Sequence, residues 1–240
     1  MPETQRNRME LSLIIPCYNE AGNLPELLKR CVRLVETEHI EVILVDNGST
    51  DESPMILREL IPRHPRCRTI RVEQNKGYGF GILSGLQVAN GHILGWTHAD
   101  LQTDPFDAQH GRTYFDRFGD DIFVKGRRYG RPISDQAFTV GMSLFESVLL
   151  RRPLWDINAQ PTLFSRRFYE TWKHPPNDFS LDLYAYFHAK RSGLFIHRFP
   201  VRFEKRGHGM SHWNVNWKAK RKFIARTVLY SVQLKKTVGA

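Results

Sequence analysis

The chain has three cysteines, no long apolar run and, after Glu204, no acidic residue. Cys17, Cys31 and Cys67 are odd in number and lack metal-site spacing. They exclude a disulfide-stapled scaffold and read as free thiols in a reducing compartment. No stretch approaches the ~18 apolar residues of a spanning helix. The opening "MPETQRNRME" lacks the apolar centre of a secretory signal. A cytoplasmic location is therefore expected. Internal repeats, low-complexity tracts and linkers are also missing, so a single domain is expected.

The missing acids make the charge lopsided. Of the net +10, nine positive charges lie beyond Glu204, at Lys205, Arg206, Lys218, Lys220, Arg221, Lys222, Arg226, Lys235 and Lys236. Residues 1–204 carry the remaining +1. A basic tail on a nearly neutral body attracts phosphates, whether of nucleic acid, anionic lipid or substrate.

What is present is a soluble globular composition, 41% hydrophobic and 25% charged over 240 residues. The first half alternates two periods. "LSLII" (11–15), "EVILV" (41–45), "CRTIRV" (67–72) and "HILGWT" (92–97) read as strands. Helices are expected over 22–36, from about 49–51 onward, and over 78–90. That rhythm implies right-handed crossovers and a mostly parallel sheet covered on both faces. Later, "DIFVKGRRYGR" reads as a strand feeding a basic loop, 137–150 and 179–191 as helices, and "LFIHRFPVRFEKRGHGMSHWN" (194–214) as a strand and a Gly-rich, basic loop. Residues 214–234 read as a basic amphipathic helix, with Trp217, Phe223, Ile224, Val228, Tyr230 and Leu234 on its apolar side.

Ligands of such sheets bind beyond the carboxyl ends of the strands. Four polar clusters fall there: "PCYNE", "DNGSTD", "NKGYGFG" and "HADLQTDP". Asp46 can accept hydrogen bonds from a nucleotide base or ribose; Asp46 and Asp51 can equally cap the next helix. Gly77, Gly79 and Gly81 fit either close helix packing or backbone approach to a ligand. Asp100 is the candidate carboxylate for Mg²⁺ or Mn²⁺ on a diphosphate, with His98 either a second ligand, which would suit Mn²⁺, or a structural hydrogen-bonding residue. Arg127, Arg128, Arg131 and Arg206 can clamp phosphate oxygens. Asp182 can be a general base or a helix cap after Ser180.

With these residues in place, the sequence resembles the family-2 inverting glycosyltransferases, and within them the polyprenol (dolichol) phosphate mannosyl- and glucosyltransferases. "IIPCYNEAGNL" is similar to the family's first strand and P-x-Y-N-E turn. "VDNGSTD" is similar to its V-D-D-G-S-x-D segment, with Asn47 replacing one carboxylate. "HADLQTDP" resembles D-A-D-L-Q-x-P-P, with His98 at the first position of the Asp-x-Asp. "KGRRYGR" and "PVRFEKRGHGMSHWN" resemble the polyprenol group's G-S-R-Y and P-I-x-F-x-x-R-x-x-G-x-S-K segments, with His212 and Trp213 departing from the latter.

The resemblance implies an α/β GT-A (Rossmann-like) domain over 1–213, with 214–240 a basic helical tail. It implies a UDP- or GDP-sugar donor, a divalent cation (Mg²⁺ or Mn²⁺), inversion at the anomeric carbon and a polyprenyl-phosphate acceptor. Carried over by position, Pro16, Tyr18, Glu20, Asp46, Asn75 and Gly77 would line the nucleotide site. Asp100 and Gln102 would sit at the diphosphate and metal, and Arg128, Arg206 and Ser211 would meet phosphate. An acceptor that is already a phosphate needs no protein base, which fits a single carboxylate at Asp100.

Two alternatives remain open at this point. The same fold can transfer to a sugar hydroxyl of a glycan, with Asp182 as base. A non-catalytic nucleotide or nucleic-acid module is the other, but nucleic-acid signatures are missing and the charge sits in the tail, so no nucleic-acid partner is expected. The tail helix is expected either on an anionic membrane surface, at its inner face, or packed on the protein's own core.

Overall fold

Aliphatic runs become strands here because both faces of the sheet are covered. The computed structural model describes residues 9–36, 39–208 and 217–239. Its seven strands are β1 (Leu11–Cys17), β2 (Ile40–Asn47), β3 (Cys67–Val72), β4 (Ile93–Trp96), β5 (Ile122–Tyr129), β6 (Thr162–Ser165) and β7 (Phe195–Arg202). They are ordered β3-β2-β1-β4-β6-β5-β7. β6 is antiparallel to β4 and to β5, and the other pairings are parallel. Six strands therefore end on one edge of the sheet.

The helices are α1 (Leu24–Glu36), α2 (Ser53–Leu60), α3 (Tyr78–Val88), α4 (Asp107–Phe118), α5 (Ile133–Leu150), α6 (Arg166–Tyr169), α7 (Ser180–Arg191) and α8 (Trp217–Gly239). α1 buries Leu24, Leu27, Leu28, Cys31, Leu34 and Val35 at helical spacing. These meet Leu11, Leu13 and Ile15 of β1 in one core layer. Ile14, Ile43, Val45, Leu94 and Trp96 point the other way, into a layer with Leu86, Phe123, Phe164, Tyr184 and Phe187. α3 lies close on this second face: a methyl at Gly85 would come 2.5 Å from Ile14 Cγ2. Helix packing thus explains this glycine.

Two elements carry little sequence signal. α4 buries Ala108, Gly111 and Phe115, of which only Phe115 is a large apolar side chain, so its stripe is faint in the sequence. β6 has four residues, too few for its period to show. The expected boundary at 213/214 lies outside the described residues. α8 packs against α5 and α7, and Tyr230 and Leu234 join the second core layer. Its Ser231 hydroxyl donates to the buried Glu146 of α5 at 2.7 Å. Cys17, Cys31 and Cys67 are free and buried, and burial raises each thiol's pKa.

Candidate active site

The turns after β1 and β2 are laced together before they meet any ligand. Ser49 Oγ accepts the Asn19 N–H at 3.0 Å, Asn19 Oδ1 accepts Thr50 N–H at 2.9 Å, and Ser53 Oγ accepts Glu20 N–H at 3.0 Å. Asp51 accepts Ser53 N–H at 2.9 Å and Ala21 N–H at 3.1 Å, so it caps and braces at once. This lacing aims Tyr18 and Glu20 into a cavity of about 470 Å³ at the strand ends, within the usual size of a small-ligand site.

Asp46 goes elsewhere than the resemblance implied. Its carboxylate accepts Ser49 N–H at 2.9 Å and pairs with Arg71 at 2.9 Å, so it ties β2 to β3 and does not line the cavity. The next residue, Asn47, lines it instead. Its Nδ2 donates to the Gly77 carbonyl at 2.9 Å, while its buried Oδ1 has no hydrogen-bond partner among the described residues. Asn75 Oδ1 accepts Gly77 N–H at 2.9 Å, shaping the same rim. Gly77 has φ +116°, and a Cβ there would lie 2.3 Å from the Asn177 carbonyl oxygen. Only glycine fits that approach.

β4 delivers His98, Asp100 and Gln102 to the cavity. Asp100 Oδ1 accepts Gln102 N–H at 3.1 Å, and Oδ2 pairs with Arg206 at 2.8 Å. Arg206 also lies 3.5 Å from Glu20. It reaches both because Glu204 N–H donates to the Gln102 carbonyl at 2.8 Å, fastening the segment after β7 to the Asp100 loop. Burial raises the Glu20 pKa, with Asn23 and Arg206 pulling back. Burial likewise lowers the His98 pKa against the pull of Asp100 and Asp182, which favours the neutral, ligating imidazole. His98 sits 5.5 Å from the Tyr78 ring, which stacks on Phe179 at 4.7 Å.

Among the described residues no three His, Cys, Asp or Glu side chains converge on a metal position. One carboxylate and one neutral imidazole still fit a divalent ion that takes the rest of its shell from diphosphate oxygens and water.

Arginines form a second wall. Arg128 is clamped to Asp156 and lines the cavity with Arg131. Asp156 is buried and also faces Arg131 at 3.9 Å and Arg198 at 3.7 Å; the arginines hold its carboxyl below the usual range against the effect of burial. Both lining guanidiniums sit over Phe203, at 5.3 and 5.4 Å from its centroid. Arg127 does not join them. It alternates to the other side of β5 and is exposed, as the two-residue period of a strand requires. Ser211 lies outside the described residues. Asp182, from the first turn of α7, reaches the cavity from below, and Arg226 of α8 pairs with Asp178 at 3.3 Å on its rim.

Pro16, Tyr18, Glu20, Asn75, Gly77, His98, Asp100, Gln102, Arg128, Arg131, Asp182 and Arg206 thus share one cavity. Asn47, Tyr78, Phe179, Phe203 and Arg226 also line it, and Asp156 organises it from behind. Phe203 and Arg206 lie in the basic segment the sequence marks; Asp156 sits in "LWDINAQ", which carries no pattern.

Residues 12–169, about two-thirds of the chain, match the model of glycosyl transferase family 2. The chain belongs to that family. Among curated relatives, an undecaprenyl-phosphate 4-deoxy-4-formamido-L-arabinose transferase of Edwardsiella ictaluri is 39% identical over 99 residues, 40% of this chain and 30% of that protein. The glycosyltransferase AglD of Haloferax volcanii is 27% identical over 83% of this chain and 34% of its own length. A dolichol-phosphate mannosyltransferase of Pyrococcus furiosus is 34% identical over 40% of this chain and 27% of its length. The match thus spans about a third of these relatives.

Among solved structures, the mannosyltransferase PcManGT of Pyrobaculum calidifontis, in complex with GDP-Man and Mn²⁺, superposes with TM-score 0.69 at 19% identity. That match covers 97% of this chain and 65% of that one. Glucosyl-3-phosphoglycerate synthase of Mycobacterium tuberculosis, with Mn²⁺, UDP and phosphoglyceric acid, gives 0.73 at 17% identity, covering 97% and 80%. These likenesses establish the GT-A fold.

Proposed function

We propose that this member of the family transfers a sugar, with inversion, from a UDP- or GDP-sugar to a polyprenyl phosphate. The observation that carries the reading is one cavity lined by two kinds of group: Glu20, Asn47, His98 and Asp100 from the turns after β1, β2 and β4, and Arg128 and Arg131 over Phe203. A nucleoside diphosphate fits the first wall, where Asp100 and His98 would hold Mn²⁺ or Mg²⁺, which screens the leaving diphosphate's charge. A phosphate acceptor fits the second. There Asp156 fixes Arg128, so the guanidinium meets the phosphate without reorganising. One acceptor oxygen bonds to the anomeric carbon while the bond from that carbon to the diphosphate breaks, and the diphosphate leaves with the electron pair. The ionised acceptor gives up no proton, so no base acts.

Nucleotide diphosphate release by the purified protein tests this, using UDP- and GDP-sugars with Mn²⁺ or Mg²⁺, with and without polyprenyl phosphate. Lipid-dependent release that falls at least ~100-fold in Asp100→Ala is expected. Donor turnover independent of the lipid phosphate would remove the reading. A glycan hydroxyl acceptor is the second reading. It draws on the buried Asp182 Oδ2, which has no hydrogen-bond partner among the described residues. Its mark is loss of turnover in Asp182→Asn with donor binding intact.

The surface supports docking on an anionic bilayer. Ile133, Val140, Leu144 and Val148 form one stripe along α5, 84%, 42%, 63% and 71% exposed, and Leu229 of α8 is 61% exposed. Arg151 and Arg152 at the end of α5, and Arg221, Lys235 and Lys236 on α8, supply exposed cations beside it. No described helix is long and apolar enough to cross a membrane. Co-sedimentation with phosphatidylserine-containing vesicles is expected, and to be lost in Leu144→Glu/Val148→Glu. Equal binding by that variant would remove this surface from the reading.

A further inference from the structure

Behind the cavity lies a charge that the transfer reading does not use. Lys125, on β5, has a wholly buried side chain. Its Nζ donates to the Ala159 carbonyl and to Thr162 Oγ1, both at 2.8 Å, and stands 3.9 Å from Asp182 Oδ1. An unbranched apolar chain would fill the same space without the cost of desolvating an ammonium, so packing does not explain a lysine here.

What the ammonium faces does explain it. Asp182 Oδ1 accepts the Trp96 indole N–H at 3.2 Å and the Gln160 amide at 2.7 Å. Two hydrogen bonds thus satisfy that oxygen, and the Lys125 ammonium stands behind it at ion-pair distance. Oδ2 of the same carboxylate is buried, has no hydrogen-bond partner among the described residues, and belongs to a side chain lining the cavity. The buried Tyr78 hydroxyl faces this carboxylate and has no hydrogen-bond partner of its own among the described residues, so Oδ2 keeps acceptor capacity for a group that enters the cavity. His98, Tyr78 and Phe179 line the same cavity as Asp182, and their rings give a sugar a surface to rest on while Asp182 takes a hydroxyl.

We propose that Lys125 is a positioning residue for the donor sugar: it holds Asp182 turned so that Oδ2 accepts a ring hydroxyl. The proposal rests on the nucleotide-sugar reading above. Lys125 touches no substrate and acts through Asp182. Its surroundings are Asp182 and Tyr186 from α7, Arg198 from β7, Arg128 from β5 and Asp156 from the loop before β6. Asp182 in turn faces His98 and Tyr78. Burial brings the Lys125 amine down to about 7, with Asp182 opposing the shift. The clamp therefore loosens as pH rises through that value.

Calorimetry of UDP-glucose against UDP, and of GDP-mannose against GDP, each with Mn²⁺, isolates the sugar's share of binding. In Lys125→Met and in Asp182→Asn the Kd of the nucleotide sugar is expected to rise about tenfold relative to that of its nucleotide diphosphate, whose own Kd holds. The double variant is expected to lose no more than either single one. The wild-type ratio rises above pH 7, and that of Lys125→Met stays flat. The double variant leaves no unpaired buried charge, so comparing it with Asp182→Asn carries the test even where Lys125→Met misfolds. An unchanged ratio in Lys125→Met, or losses that multiply in the double variant, would overturn the proposal. Wild-type protein that binds neither the sugar nucleotides nor UDP or GDP would overturn the donor reading, and this proposal with it.

Discussion

The acid wall of the cavity hangs on the turns that follow β1, β2 and β4, each with a separate brace, whereas the arginine wall hangs on one carboxylate, Asp156. In the first wall each residue has its own brace: Ser53 for Glu20, the Gly77 carbonyl for Asn47, Gln102 N–H for Asp100. In the second, Arg128, Arg131 and Arg198 share a single anion. Such a hub is compact, and it keeps two lining guanidiniums close enough to stack on one ring. It also concentrates risk, because a change at the hub leaves three cations facing one another. The acid wall loses contacts singly; the arginine wall loses them together.

Asp156→Ala puts that difference to its hardest test. Removing the buried anion is expected to cost about 3–5 kcal/mol, seen as a large fall in thermal midpoint, and to weaken acceptor more than donor. A loss as small as that of a surface pair would dissolve the distinction between the walls. Arg128→Lys comes next. It keeps the charge but not the planar fork, and a roughly tenfold rise in the acceptor's KM with an unchanged donor KM is expected from steady-state kinetics.

Glu146→Gln probes the seam between α5 and α8. Burial raises the Glu146 carboxyl to about 7, opposed by the Ser231 hydrogen bond. Between the unfolded value and about 7 the folded state binds the extra proton, so its stability falls as pH rises through that window and stays lowered above it. The glutamine variant is expected to melt higher than wild type at pH 8, by about 1–2 kcal/mol, and to match it near pH 5. Equal midpoints at both pH values would count against it. Arg127→Ala should do least: the side chain is exposed on the far side of β5, and kinetics and stability within error of wild type are expected.

Legibility follows the same division. The strand-end clusters could be read because the chain marks them with local patterns: an apolar run, then Asn, Asp or Gly at a turn. Tyr18, Glu20, Asn75 and Asp100 fall where such reading puts them, at the cavity. Asp46 shows its limit. A carboxylate at a strand end is chemically free to serve a ligand, and only the register β2–β3, which sets Asp46 opposite Arg71, shows it engaged. Arg127 and Arg128 are adjacent in sequence and opposite in placement, a matter of strand parity that the basic run hides. Asp156 and Lys125 had no signal at all, since a buried ion pair is a relation between distant segments. α4 and β6 escaped because one buries a single large apolar side chain, Phe115, and the other is a single short run.

The Asp100–Arg206 pair, 106 residues apart, also sets an order of events during synthesis. At about 5–20 residues per second, Asp100 leaves the ribosome on the order of 5–20 s before its arginine exists. β1 to β4 can pair in that interval, but β4 lacks its other neighbour, β6, until residue 165 has emerged. Arg226 comes later still, on α8. The nascent chain thus can lay down its sheet while the acid wall still lacks its counter-ion.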